Sequence, residues 1–155
     1  MSVGSGGLGR GLSLDTTLAD LDLAWQDREV EAAALLAAHP AMALALRMYA
    51  LEIRIKVVIC KRLALDNLPQ HCRTHELLEL IIFTGLWSEL EDPANAATRS
   101  NWDLLVRFGK QQLNNLRYKP STGPSGGLGA FDPVALANAF DDPTAGVYTW
   151  LSRLP

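Results

Sequence analysis

A chain of 155 residues with 48% apolar and 20% charged side chains has the composition of one globular domain that can bury a substantial core. Its formal net charge of −3 excludes indiscriminate nucleic-acid binding, which needs a surplus of Lys and Arg facing phosphates, and leaves only a local basic face open. Two cysteines, Cys60 and Cys72, are too few for a disulfide framework and point to a reducing compartment.

Residues 1–13 are rich in Gly and poor in apolar surface, so a flexible arm is expected there, followed by a single domain over 14–155. The arm has no apolar signal core. The most apolar stretch, 41–65, is interrupted by Arg47, Glu52, Arg54 and Lys56, which argues against a membrane span. A cytoplasmic protein is the expectation. The glycines from Gly4 to Gly9 mimic a dinucleotide-binding pattern, but no strand precedes them and the match carries no weight.

The first helix is expected over 15–38. Leu18, Leu21, Trp25, Ala32 and Leu36 form its apolar stripe, Asp15 or Thr16 its cap, and Pro40 its end. The second, over 41–65, is apolar in nearly every direction and reads as the central helix. Arg47, Arg54 and Lys61 recur at heptad spacing and define its one face toward water, where they are candidates for contacting phosphates. Asp66 to Pro69 breaks it. Thr74 is a cap candidate for a third helix over 75–84, and Gly85 separates that from a short piece over 86–90.

A fourth helix over 98–118 carries the clearest stripe: Trp102, Leu105, Val106, Gly109, Leu113 and Leu116. Gly109 within it would let a neighbouring helix approach closely. A Pro/Gly/Ser loop over 119–130 follows. Two short helices are then expected, opened by Asp132-Pro133 and by Asp142-Pro143, the last carrying Val147, Trp150, Leu151 and Leu154. No segment sustains a period-two alternation, so the class is all-α.

Four pieces of this order resemble the HEPN superfamily. They are Tyr49 to Lys56 on the central helix, with Ala50, Glu52 and Lys56; Leu68-Pro69 in the connection; Arg73-Thr74-His75-Glu76-Leu77-Leu78-Glu79-Leu80 at the third helix; and the fourth helix, which begins at Asn101-Trp102 and closes with Leu116-Arg117-Tyr118. The resemblance spans about residues 15–118. It implies an up-and-down bundle of four to five helices with short C-terminal helices. It also implies a homodimer, or a partner protein from the same operon, in a bacterial toxin–antitoxin or antiphage system that handles nucleotides or RNA. In the ribonuclease branch an Arg is followed by four to six residues and then a His. This chain departs from that pattern, because its histidines are His39, His71 and His75 and none follows an Arg at that spacing. Metal-free RNA cleavage draws its general acid and base from His in most cases.

The expectation is therefore a non-catalytic binding module taking nucleotide, RNA or a partner protein, with no cofactor, no metal and no catalytic residue assigned. One alternative is a ribonuclease with a degenerate site around Arg117 and Tyr118. The other is a purely structural scaffold. The ligand-binding candidates are Glu52, Lys56, His75, Arg117 and Tyr118. Glu52 and Lys56 stand at i, i+4 in the favourable order, on an apolar side of the central helix. They read as a structural ion pair extended by His75 or Arg117, or as the floor of a polar pocket. His71, Cys72, His75 and Cys60 carry donor types for zinc at a spacing that matches no standard site.

Overall fold

The computed structural model describes residues 16–120, 122 and 127–154. The arm expected over 1–13, the cap candidate Asp15 and part of the loop over 119–130 lie outside them. Among the described residues the chain is an all-α helical bundle. Its helices are α1 (Leu18–Leu35), α2 (Pro40–Arg62), α3 (Leu77–Phe83), α4 (Trp87–Glu91), α5 (Ala96–Gln111), α6 (Leu113–Tyr118), α7 (Pro133–Asp141) and α8 (Val147–Ser152). Single 3-10 turns occupy Gln70–Cys72 and Pro93–Asn95.

The cap of α1 is Thr17 rather than Asp15 or Thr16. Its hydroxyl accepts from Asp20 N while Asp20 accepts from Thr17 N, a reciprocal box that satisfies two otherwise orphaned donors. That end is also pinned by the segment leaving α2, since Leu18 N donates to Asp66 O and Leu68 N to Thr16 O. At the other end α1 stops at Leu35, so Leu36 leaves the expected stripe and is 58% exposed. Pro40 opens α2 in the first turn, where its missing N–H costs nothing. The 23 residues of α2 bury side chains from Ala43 to Cys60 on several faces, as its all-round apolar pattern requires. Around it pack Leu80 and Ile81 of α3, Trp102, Leu105 and Phe108 of α5, Leu136 and Phe140 of α7, and Val147 and Leu151 of α8.

Three expectations fail, two for local reasons and one through a distant bond. Thr74 does not cap α3: its hydroxyl takes the Glu76 N–H in a tight turn, Glu76 becomes the cap residue, and His75 lies before the helix. The helix expected over 98–118 divides at Gln112, where α5 gives way to α6. Gln112 is buried, and its Nε2 donates to Gly127 O at 2.7 Å across the chain, a bond that holds the break. The stripe splits with it. Trp102 and Leu105 are fully buried with Phe108, while Val106, Gly109, Leu113 and Leu116 are only half-buried. Asp142 opens a turn and not a helix, accepting from Thr144 N, Thr144 Oγ1 and Ala145 N, and α8 starts four residues later than that cap implied. Asp132 does cap α7, through Val134 N.

Between α7 and α8 the backbone doubles back so closely that only glycine fits. A Cβ on Gly146 would fall 2.6 Å from Asp142 N and 2.7 Å from Phe140 O. This turn sets Tyr148 against α2.

Candidate functional site

The basic stripe of α2 does not present Arg47, Arg54 and Lys61 to water alike. Arg47 Nη1 and Nη2 donate to both oxygens of Asp141 at 2.6 Å, and its Nε donates to Glu29 Oε2 at 3.1 Å. The guanidinium also lies over the Phe140 and Tyr148 rings, 4.4 and 5.4 Å from their centroids. Burial pulls the Arg47 pKa down, but the bond to Asp141 and the charge of Glu29 more than offset it. Tyr148 Oη donates to Glu29 Oε1 at 2.6 Å, and burial, with the adjacent Glu29 charge, holds that phenol far above its usual range. Every strong donor and acceptor in this node is engaged. Arg54 is half-buried beside the Trp25 and Tyr148 rings, and Lys61 is exposed. The three therefore do not form one surface: seven-residue spacing leaves them on one face, where α1, α7 and α8 close off Arg47 while Arg54 and Lys61 border a cleft.

The opposite flank of α2 carries the buried pair. Lys56 Nζ lies 2.6 Å from Glu52 Oε1 and the Lys56 residue is only 7% exposed. His75 Nδ1 approaches the same carboxylate at 3.0 and 3.2 Å, although the imidazole itself is 86% exposed. The pair is therefore extended by His75. Arg117 is not part of it, and its Nη2 donates instead to Tyr49 Oη at 2.8 Å. Tyr118 is 78% exposed and turned away from this group's lining.

Glu52, Tyr49, His75 and Arg117 all border one groove of about 920 Å³. Met48 and Ile53 of α2 form one apolar wall, with Val106, Gly109 and Leu113 of α5 and α6 opposite. Gly109 serves here as a recess: a Cβ would lie 3.1 Å from Met48 Cε, so it admits a side chain of α2 and not the expected helix backbone. Lys110 and Asn114 continue along the rim toward Arg117, with Arg28 of α1 and Glu76 before α3 at other points of it. Arg28 is held by Glu31 at 2.7 Å.

The sequence groups Lys110 with Arg117, Arg107, Tyr118 and Lys119 in one basic cluster, and the groove brings Lys110 and Arg117 together; Tyr49 and Asn114 were missed as members of that site. Their signal was the half-buried half of the fourth-helix stripe, which marks a wall facing something other than the core. Of the zinc donor types, Cys60 and Cys72 are buried free thiols. Burial pushes both upward, with Cys72's charge adding to the effect on Cys60 and Lys56 pulling Cys72 back. His71 leans on the Phe83 ring at 6.4 Å. Among the described residues no three His, Cys, Asp or Glu side chains converge on a metal position, and no helix is long and apolar enough to cross a membrane.

With the groove defined, relatives would be the next guide to its ligand. No protein-family model, curated protein or solved structure matches this chain. The groove's chemistry has to be read from its own residues. It offers two exposed cations on one rim, a carboxylate with spare lone pairs at the floor, and an apolar wall between them.

Proposed function

We propose that the chain is a non-catalytic, HEPN-like binding module that takes a nucleotide in the groove between α2 and α5–α6. One observation supports this above the others: a 920 Å³ opening of small-ligand size sets Lys110 and Arg117 on one rim and Glu52 at the floor, across apolar walls. The cations suit phosphate oxygens. Tyr49, Ile53 and Val106 suit the flat face of a base, and Glu52 retains acceptor capacity for an amino group after serving Lys56 and His75. The resemblance adds the biological setting, a homodimer or operon partner within a bacterial toxin–antitoxin or antiphage system.

A titration calorimeter and a panel of purine and pyrimidine nucleoside mono- and triphosphates test the reading. Saturable binding by at least one of them is expected, lost in Lys110→Ala/Arg117→Ala with the thermal midpoint unchanged. Heat no different from dilution across the panel would remove the proposal.

A second reading has a specific observation behind it. His75, held by Glu52 at 3.0 Å, borders the same groove as Arg117, so a base and a phosphate-holding cation share one space. Purified protein is expected to leave single-stranded RNA intact. Cleavage that disappears in both His75→Ala and Arg117→Ala would replace the binding module with a ribonuclease.

A further inference from the structure

Arg54 and Arg47 are the same residue type one heptad apart on α2, and the Tyr148 ring lies beside both. Arg47 is saturated by Glu29 and Asp141. Arg54 is not. Its guanidinium carbon stands 4.7 Å from the Trp25 ring centroid and 4.9 Å from that of Tyr148, and those centroids are 6.5 Å apart, so the two rings flank it on adjoining sides. Its edge carries five N–H donors, and no acceptor among the described residues takes a hydrogen bond or forms an ion pair with them. Burial lowers the Arg54 pKa, and the charges of Glu29 and Asp22 act only from a distance against that cost. No Arg54 nitrogen is both buried and unpaired, so water meets these donors and an anion entering from outside can take its place.

Arg54 faces a cleft of about 300 Å³. Lys61, one turn pair further along α2, adds a second cation, and Val57, Leu151 and Leu154 supply apolar wall. Asp22 is the one carboxylate in the lining. Its Oδ1 is committed to the Trp25 indole N–H at 3.0 Å, and Lys61 offsets its charge. None of these residues borders the larger groove.

We propose that this cleft binds an organic oxyanion, a phosphate or carboxylate head carried on a small apolar stem. The Arg54 fork, flanked by the Trp25 and Tyr148 rings, takes two oxygens of the head. Lys61 contributes the second charge, and the stem lies against Leu151 and Leu154. The two ring contacts place Arg54 at the cleft without a carboxylate of the chain, which leaves its solvent-facing donors for the head.

The test uses the full chain with three probes of one shape: phenyl phosphate, phenylacetate and the uncharged benzyl alcohol. Side-chain nitrogen–proton spectra report the Arg54 Nε and Trp25 Nε1 resonances directly. At least one anion should shift both saturably while the alcohol shifts neither. Response to phenyl phosphate alone assigns a phosphate head, and response to phenylacetate alone a carboxylate. Arg54→Gln should weaken that binding about tenfold or more, and Lys61→Gln about threefold, as expected for losing a bidentate and a single charged contact. Nucleotide binding in the larger groove should be the same in both variants. The absence of a saturable shift up to millimolar probe, or equal affinity in Arg54→Gln, overturns the proposal. Should Arg54→Gln fail to fold, the exposed Lys61 decides, and unchanged affinity in Lys61→Gln overturns it equally.

Discussion

On one side of α2, Arg47, Glu29, Asp141 and Tyr148 satisfy one another at 2.6–3.1 Å across four helices. On the other side, Glu52, His75, Lys110 and Arg117 surround open space. Both regions are charged and both include aromatic rings, so composition does not distinguish them. What differs is whether each donor finds its acceptor inside the chain. A saturated node locks helices together, and its charges are hidden from any ligand. An unsaturated one leaves electrostatic capacity to spend on something else. Arg54 stands between the two, held beside two rings but with no carboxylate of the chain bonded to it.

The comparison assumes that one core underlies both sides, and the largest expected effect tests that. Trp102 is fully buried, so Trp102→Ala should cost about 3–5 kcal/mol in a denaturant melt. Its Nε1 has no hydrogen-bond partner among the described residues, so Trp102→Phe, which sacrifices no such bond, should cost well under half as much. A Trp102→Ala loss below about 1 kcal/mol would mean the two sides are not braced on a common core.

Next in size come the two ion pairs. Lys56→Met leaves the Glu52 carboxylate with only His75 and whatever water the groove admits, and should cost about 2–4 kcal/mol. Arg47→Met should cost somewhat less, about 2 kcal/mol, because Tyr148 still donates to Glu29 and Asp141 is exposed. A double-mutant cycle through Glu52→Gln and Lys56→Met sharpens this. Coupling below about 0.5 kcal/mol would assign Glu52 and Lys56 to the groove and not to the framework.

The smallest effect lies in the α7–α8 turn that carries Tyr148 to the node. Backbone bonds from Ala145 and Thr144, with the Thr144 hydroxyl, hold the Asp142 carboxyl below the usual carboxylate range. The folded chain thus binds that proton less readily than the unfolded one. The resulting stability is present above about pH 4 and is lost as pH falls through the lowered folded value. The destabilisation caused by Asp142→Ala should accordingly shrink between neutral pH and about pH 2. A deficit that stays constant over that range would show the carboxylate is not what holds the turn.

Much of this fold was readable along the chain because its signals are short-range. Pro40 in the first turn of α2, Asp132 capping α7, the break at Gly85 and the aperiodic absence of strands all act over a few residues. The Glu52–Lys56 pair was readable for the same reason, since i, i+4 geometry comes with the helix itself. His75 could be suspected as its neighbour, but only the extended backbone before α3 brings the ring to Glu52 from 23 residues away. The fate of the arginines was not readable at all. Arg47 is claimed by Glu29 and Asp141, 18 and 94 positions distant, whereas Arg54 meets no such carboxylate, and heptad spacing is blind to that difference. The groove depended likewise on Gln112, whose reach to Gly127 divides the fourth helix and turns half of its apolar stripe away from the core. Local sequence decides which groups a helix presents. Only the packing of distant segments decides which of those groups are already satisfied, because a hydrogen bond or ion pair is met by whatever lies within about 3 Å in space, not along the chain.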